Sequence, residues 1–408
     1  MGLESKWNGA KSSDWSQDTK VCNPNPICGS MVSGKRLKMA NSTPDVVRNT
    51  VQEVRTSQAA ALIMGAENGR FYRDAKLHSI NVLLDYEDGC HAKCGFCGLA
   101  KSRQSEEDWR DRSFIRVDWP LVSLDQVNET ISRGSAPDIE RVCVSMVLNQ
   151  GAKEDTIDAV RKLSQSITRI SILLMPTIID KEWLIRAKEA GADMVATALD
   201  GATRKVFDAV RGKDVNGPLN WDNYWQCIED TIEVFGPRNA GIHLVAGLGE
   251  TEEEMVDTMQ KAHDMGALTH LFSFNPEPGT MLEFWPQPPI GSYRRIQLAR
   301  YIVNEHFGRK EAMTFDENGR ITDFGVNAEV LGIIIDEGKA FMTSGCAGET
   351  VDCACNRPFG NCTPGEAAQG RWRNFPIPPI ASDIVHAKRQ LQDYDGTEDV
   401  EVDPFDDD

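Results

Sequence analysis

Eight short apolar runs, separated by longer amphipathic stretches, occupy the chain from residue 78 onward and leave it few folds to choose from. They are His78–Leu84, Arg141–Met146, Ile170–Met175, Met194–Leu199, Gly241–Gly247, His270–Phe274, Ala312–Phe315, and a weaker one at Val330–Ile335 or Ala340–Thr343. Runs of this length between turn residues read as strands, and the stretches between them have room for helices. Strand and helix in alternation make a parallel sheet with helices outside, because parallel neighbours need a long crossover. The expected class is α/β: a (β/α)8 or partial TIM-type barrel with an N-terminal arm and a C-terminal cysteine-rich extension. Eight strands would close the barrel and six would leave it open; periodicity alone does not separate the two. Ser42-Thr43-Pro44-Asp45 reads as a capped helix start, with Val46–Met64 as a helix against the barrel. The expected divisions are an arm at 1–45, the barrel at 46–335, an extension at 336–392 and an acidic, disordered tail at 393–408.

Composition bears on the chemistry through the cysteines. No apolar run reaches the roughly eighteen residues of a membrane span, and no charged segment followed by a hydrophobic core opens the chain. The expected setting is cytoplasmic, without a membrane partner, where disulfides are rare. The eleven cysteines therefore read as metal ligands or buried thiols, and seven of them fall in two groups, Cys90/Cys94/Cys97 and Cys346/Cys353/Cys355/Cys362. A formal net charge of −18 argues against nucleic acid as a ligand.

The first group, Cys90-His91-Ala92-Lys93-Cys94-Gly95-Phe96-Cys97, follows the first apolar run with C-x3-C-x2-C spacing. Three thiolates on one short loop can hold three irons of a [4Fe–4S] cube and leave the fourth open to a small molecule. A structural zinc would need a fourth ligand nearby, and His91 lies awkwardly inside the x3 gap. The second group follows Thr343-Ser344-Gly345 and ends in Cys353-Ala354-Cys355-Asn356-Arg357-Pro358-Phe359-Gly360-Asn361-Cys362. Four cysteines broken by glycine and proline read as a second metal site, either iron–sulfur or tetrahedral zinc. Cys22 and Cys28, a C-x5-C pair in the arm with prolines between and no third thiol close by, read as structural or as chance, with a metal site as the alternative. Ser344 and Cys143 remain open as a further ligand of the second group.

The C-x3-C-x2-C loop, with Phe96 before its third cysteine, resembles the cluster motif of the radical S-adenosylmethionine superfamily. The segment from 78 to about 330 is similar to the biotin synthase group, and the Thr-Ser-Gly-Cys … Cys-Asn-Arg-Pro-Phe tail resembles the two-protein lipoyl synthases. The resemblance implies a [4Fe–4S] cluster on Cys90, Cys94 and Cys97 that binds S-adenosylmethionine and splits it to a 5′-deoxyadenosyl radical. It further implies that Phe96, Asp200, Gly247, Gly249, Glu250 and Asn275 surround that cofactor. Gly247-Leu248-Gly249-Glu250 matches the family's Gly-x-x-Glu turn, with Thr251 as an ordinary helix cap beside it. Asp200 is either a ribose ligand or a helix cap. Arg211 is a candidate for a substrate carboxylate, and Arg295 is read as one half of an ion pair.

A second, auxiliary iron–sulfur cluster on Cys346, Cys353, Cys355 and Cys362 would be the sulfur source, hanging near the open mouth of the barrel. The implied activity is a radical sulfurtransferase acting on an octanoyl group of a lipoyl carrier protein. Its partners would be a second radical enzyme and reduced ferredoxin or flavodoxin as electron donor. The alternatives are sulfur insertion into a small molecule such as dethiobiotin, a radical enzyme using the second cluster for electron transfer, and a non-catalytic cluster carrier or zinc-stabilised binding protein.

Overall fold

The computed structural model describes residues 51–104, 117–357 and 362–398. The arm with Cys22 and Cys28, and the tail beyond Glu398, lie outside them. The strands are β1 (Glu53–Thr56), β2 (Ser79–Leu84), β3 (Leu121–Ser123), β4 (Arg141–Ser145), β5 (Ile170–Leu174), β6 (Met194–Asp200), β7 (Ala240–Ala246), β8 (Leu268–Ser273), β9 (Thr314–Phe315) and β10 (Ile321–Asp323). The main sheet has eight strands in the order β3-β1-β2-β4-β5-β6-β7-β8. From β2 to β8 every pairing is parallel, whereas β1 pairs antiparallel with both β2 and β3. β3 and β8 end the order, so the barrel is partial. Helices such as Ala152–Leu163, Lys181–Ala190, Trp221–Phe235 and Glu252–Met265 make the crossovers and bury one face each. Among the described residues no helix is long and apolar enough to cross a membrane.

Six of the expected runs are barrel strands, and two are not. Thr314–Phe315 pairs only with β10, in a separate two-stranded ribbon. Val330–Ile335 lies inside the helix Ala328–Glu337, whose N-cap Asn327 accepts from the backbone of Glu329 and Val330. Its alternative, Ala340–Thr343, is a helical turn followed by one isolated bridge from Met342 to Phe375. The expected helix Val46–Met64 is, in its described part, strand β1 followed by the short helix Gln58–Ile63. There the edge of β2 offers unpaired backbone groups, and Glu53–Thr56 takes them up.

Because the sixth parallel strand has no seventh beside it, the chain beyond β8 covers what closure would have covered. Helix Ile290–Asn304 is buried around almost its whole circumference, lying between β8 and the C-terminal extension. Its apolar residues join Phe341, Cys362, Trp372, Phe375 and Leu391 in a second core. Arg295 forms a buried ion pair with Glu252 at 2.7 Å, and the same carboxylate accepts the Ile321 N–H at 2.8 Å. The ion pair expected for Arg295 is therefore present, but in the core and not at the surface. Removing one partner strands the other charge there. Glu252→Ala is expected to cost about 3–5 kcal/mol, read as a lowered urea midpoint.

Candidate functional site

The interior of a barrel of this kind is normally filled by large branched side chains. Here the lower part of the interior, toward the N-terminal ends of the strands, is lined by Asn81, Cys143 and Ser171. Asn81 pairs with Cys143, and Cys143 with Ser171, so these small or polar residues form one layer of the register. The result is a cavity whose upper walls are apolar, including Leu83, Val147, Met175, Leu173, Phe272 and Phe274.

Cys90, Cys94 and Cys97 all line this cavity from the loop after β2, at the C-terminal ends of the strands. The loop is held by main-chain bonds: His91 N–H to Leu148 O at 2.8 Å, Gly95 N–H to Val210 O at 2.7 Å, and Leu282 N–H to Gly95 O at 2.9 Å. Burial raises the pKa of all three thiols, that of Cys94 to about 11. For Cys97 the neighbouring thiols add to burial. Three crowded, desolvated thiols shed their protons when positive charge stands among them, as iron would provide. The donor set thus fits a metal cluster. Among the described residues no three His, Cys, Asp or Glu side chains converge as they would around a single ion.

Of the residues expected around the cofactor, Phe96, Asp200 and Asn275 line the same cavity. The Asn275 side-chain amide nitrogen is buried without a hydrogen-bond partner, an open donor at the C-terminal end of β8. Asp200 has a left-handed backbone, φ 60°, and its carboxylate pairs with Arg211. It does not cap the next helix, because Thr203 does. Arg211 also donates to Ala198 O and, at 3.2 Å, to the Tyr224 hydroxyl, so its guanidinium is engaged in holding β6 and the helices after it. Arg211 also lines the cavity, where its Nε is buried without a partner.

Gly247, Gly249 and Glu250 do not line the cavity. Glu250 accepts from Gly247 N–H at 2.6 Å and Leu248 N–H at 3.1 Å, and burial pushes its pKa up to about 7. Trp285 Nε1 donates to Gly247 O at 2.9 Å, and a Cβ built on Gly247 would lie 2.7 Å from Pro288 Cδ. At φ 105° Gly247 has no room and no backbone freedom for a side chain. Gly247→Ala is expected to lower stability by about 1–3 kcal/mol in urea unfolding. Thr251 caps the following helix in a full capping box with Glu254.

The second cysteine group is regrouped by the fold. Cys143, Cys346 and Cys355 line the cavity, with the thiols of Cys143 and Cys346 hydrogen-bonded to Cys355. Their closeness ties the three titrations together, with the neighbouring thiol and burial pushing Cys143 and Cys346 up and the two bonds drawing Cys355 down. A Cβ on Gly345 would lie 2.7 Å from Cys355 Cβ, so only glycine lets the two segments approach closely enough. Cys353 does not line the cavity, although its sulfur lies 3.3 Å from where a Gly345 Cβ would stand, on the same side as Cys355. Cys362 is separated altogether, buried in the second core with Trp372 and Ala367. Adjacency in sequence groups Cys362 with the other three, whereas its side chain packs among apolar residues.

The group also lies at the other end of the barrel from the one expected. Asn356 accepts His78 N–H at 3.0 Å and donates to Lys76 O at 2.7 Å, just before β2. Glu140, just before β4, accepts Glu349 N–H at 2.6 Å and Thr350 N–H at 2.8 Å. Arg141, the first residue of β4, donates to Ala347 O at 2.7 Å and pairs with Asp193. Residues 343–357 therefore plug the N-terminal end of the strands, not the mouth. Ser344 accepts Leu271 N–H at 2.8 Å, satisfying the free edge of β8. Buried around the thiols are the guanidiniums of Arg141, Arg300 and Arg357. Arg357 has no hydrogen bond or ion pair among the described residues, only the ring of Trp119 at 5.4 Å. Burial lowers the pKa of both Arg300 and Arg357, the mark of cations short of counter-charge. Thr343 Oγ1, also on the cavity wall, is buried without a partner. An anionic, sulfide-bearing group fits between them.

Residues 87–262 match the family described as the Radical SAM superfamily. A biotin synthase from Acaryochloris marina (strain MBIC 11017) is 25% identical over 205 residues, 48% of this chain and 51% of the relative. The chain thus spans about half the length of that curated relative. Among solved structures, methylornithine synthase is 14% identical with a TM-score of 0.43, over 60% of this chain and 66% of the other. The hydrogenase maturase HydG is 12% identical with a TM-score of 0.45, over 61% and 54%.

Proposed function

We propose that this chain, whose residues 87–262 match the Radical SAM superfamily and whose barrel is similar to a biotin synthase, carries the [4Fe–4S] cluster and S-adenosylmethionine that the family implies and inserts sulfur into unactivated C–H bonds. Cys90, Cys94 and Cys97 would hold the first cluster, with Phe96, Asn275 and Asp200 around the cofactor bound to it. Cys143, Cys346 and Cys355 would hold a second, in place of the set with Cys353 and Cys362. With both bound, each C–H bond converted would take one electron from a low-potential carrier and one S-adenosylmethionine, yield methionine and 5′-deoxyadenosine bearing the substrate hydrogen, and draw its sulfide from the second cluster, one ferric iron of which would be reduced to ferrous as the C–S bond forms. The protein's own part is placement. The apolar walls between the two thiol groups exclude water and hold an alkyl chain extended between them, so that reach selects the carbon.

The observation that carries this reading is that two thiol groups stand at opposite ends of one interior cavity. The plug at 343–357 leaves the C-terminal face as the way in, which suits a long, flexible arm. The preferred substrate is an octanoyl group on a lysine of a lipoyl carrier protein, handled together with a second radical enzyme and a reduced ferredoxin or flavodoxin. A second reading, insertion into a small carboxylic acid of the dethiobiotin type, is favoured by Arg357, which has no acid partner among the described residues. Incubating the reconstituted protein with reductant, S-adenosylmethionine and either an octanoylated carrier peptide or dethiobiotin separates them by mass spectrometry. A sulfur gained by the peptide supports the first, a sulfur gained by the small acid supports the second, and neither product with both clusters present removes both.

A further inference from the structure

His243 belongs to neither cysteine group, yet it stands beside one of them. It lies on β7, and its ring faces the cavity next to Cys143, Cys346 and Cys355. Register sets it between Ala198 of β6 and His270 of β8. The Phe272 ring at 4.8 Å and the edge of His270 at 5.5 Å fix the imidazole plane without engaging its nitrogens. Among the described residues His243 makes no hydrogen bond or ion pair. The His243 ring is half-buried and opens on the cavity, so a ligand held there can complete it. A neutral imidazole is a good donor to iron, and three thiols stand along the same wall. Cys353, the other residue at hand, stands beside Cys355 across Gly345 but does not line the cavity, as His243 does.

We propose, on the reading that a second cluster is present, that His243 is its fourth protein ligand, completing a set of three thiolates and one imidazole. Such a set carries one negative charge fewer than four thiolates, and its reduced form is the easier to reach. It also fastens the floor of the cavity to β7, so that both halves of the barrel hold the sulfur source.

The test uses full-length protein with Cys90, Cys94 and Cys97 replaced by alanine, so that only the second cluster can be reconstituted, and 15N-labelled histidine. After reduction, pulsed electron paramagnetic resonance should show the hyperfine coupling of a directly bound imidazole nitrogen. His243→Cys should keep about four irons, lose that coupling and move the midpoint potential to a more negative value. Cys353→Ser should leave the coupling in place. A cluster without nitrogen coupling in the parent, or coupling that survives His243→Cys, overturns the assignment of His243 alone. A parent that binds no iron overturns the two-cluster reading and this inference with it. Should the triple variant fail to fold, the difference spectrum between wild type and His243→Cys shows whether the coupling belongs to His243.

Discussion

Protein carrying alanine at Cys90, Cys94 and Cys97 is expected to bind about four fewer irons and to form no measurable 5′-deoxyadenosine, a loss of at least about 1,000-fold. The effect should be that large because those three thiols, gathered at the C-terminal ends of the barrel strands, are the ligands proposed for the first cluster. Without them nothing conducts an electron to the cofactor. Single replacements should behave nearly as the triple one does, since a cube held by two thiolates is not a weaker version of one held by three. Circular dichroism of the triple variant should match wild type in the helical region, because the helices and strands of the barrel are fixed by their own core. Persistence of 5′-deoxyadenosine formation would show that the electron enters elsewhere.

The second large effect separates two outcomes that adjacency in sequence would merge. Cys346→Ala with Cys355→Ala is expected to remove the second set of about four irons and to end sulfur incorporation, while 5′-deoxyadenosine still forms. Cys143→Ala should do the same, although it lies some two hundred residues away in the chain. Cys362→Ala, by contrast, should retain the full iron content and sulfur incorporation, and cost only about 1–2 kcal/mol as a small cavity in the second core. Gly345→Ala should follow Cys355, because its Cβ would push the Cys346 and Cys355 segments apart. Iron and acid-labile sulfide analysis with product mass spectrometry reads all four variants. If Cys362→Ala loses iron and Cys143→Ala keeps it, the regrouping of the thiols is wrong.

Much of the fold was legible because its cause is local. Each of the six parallel strands is a short apolar run ended by a turn, and the amphipathic helices between them carry their own caps, as at Thr203 and Thr251. The runs that misled were those whose length and composition suit either element. Ala328–Glu337 is rich in isoleucine, yet Asn327 caps it and Gly338 ends it in a left-handed turn, signals of a helix that outweigh β-branching. Strand β1 was hidden in a stretch with helical spacing, because only the unpaired edge of β2 decides its state.

The gathering of the first three thiols was legible, since they share one loop and spacing alone reports their proximity. The second was legible only in part. Cys346 and Cys355 come together across a glycine that the sequence shows, but the partner on β4 is brought in by the register Asn81–Cys143–Ser171. One signal was present: serine, asparagine and cysteine at inward positions of strands that otherwise read as apolar runs. The place of the plug could not be read at all, because it depends on long-range contacts such as Glu140 with Thr350 and Asn356 with Lys76. His243 was passed over for the same reason, being one histidine in an apolar strand until its neighbours are known.

If the product's sulfur comes from the floor of the barrel, it must have been part of the protein before substrate arrived. Reconstitution with 34S-sulfide, followed by a single turnover and mass spectrometry of the product, follows that atom. Wild-type protein is expected to give product carrying 34S, and the Cys346→Ala, Cys355→Ala variant none. Product containing sulfur of natural abundance, or labelled product from that variant, would contradict a sulfur source held at Cys143, Cys346 and Cys355.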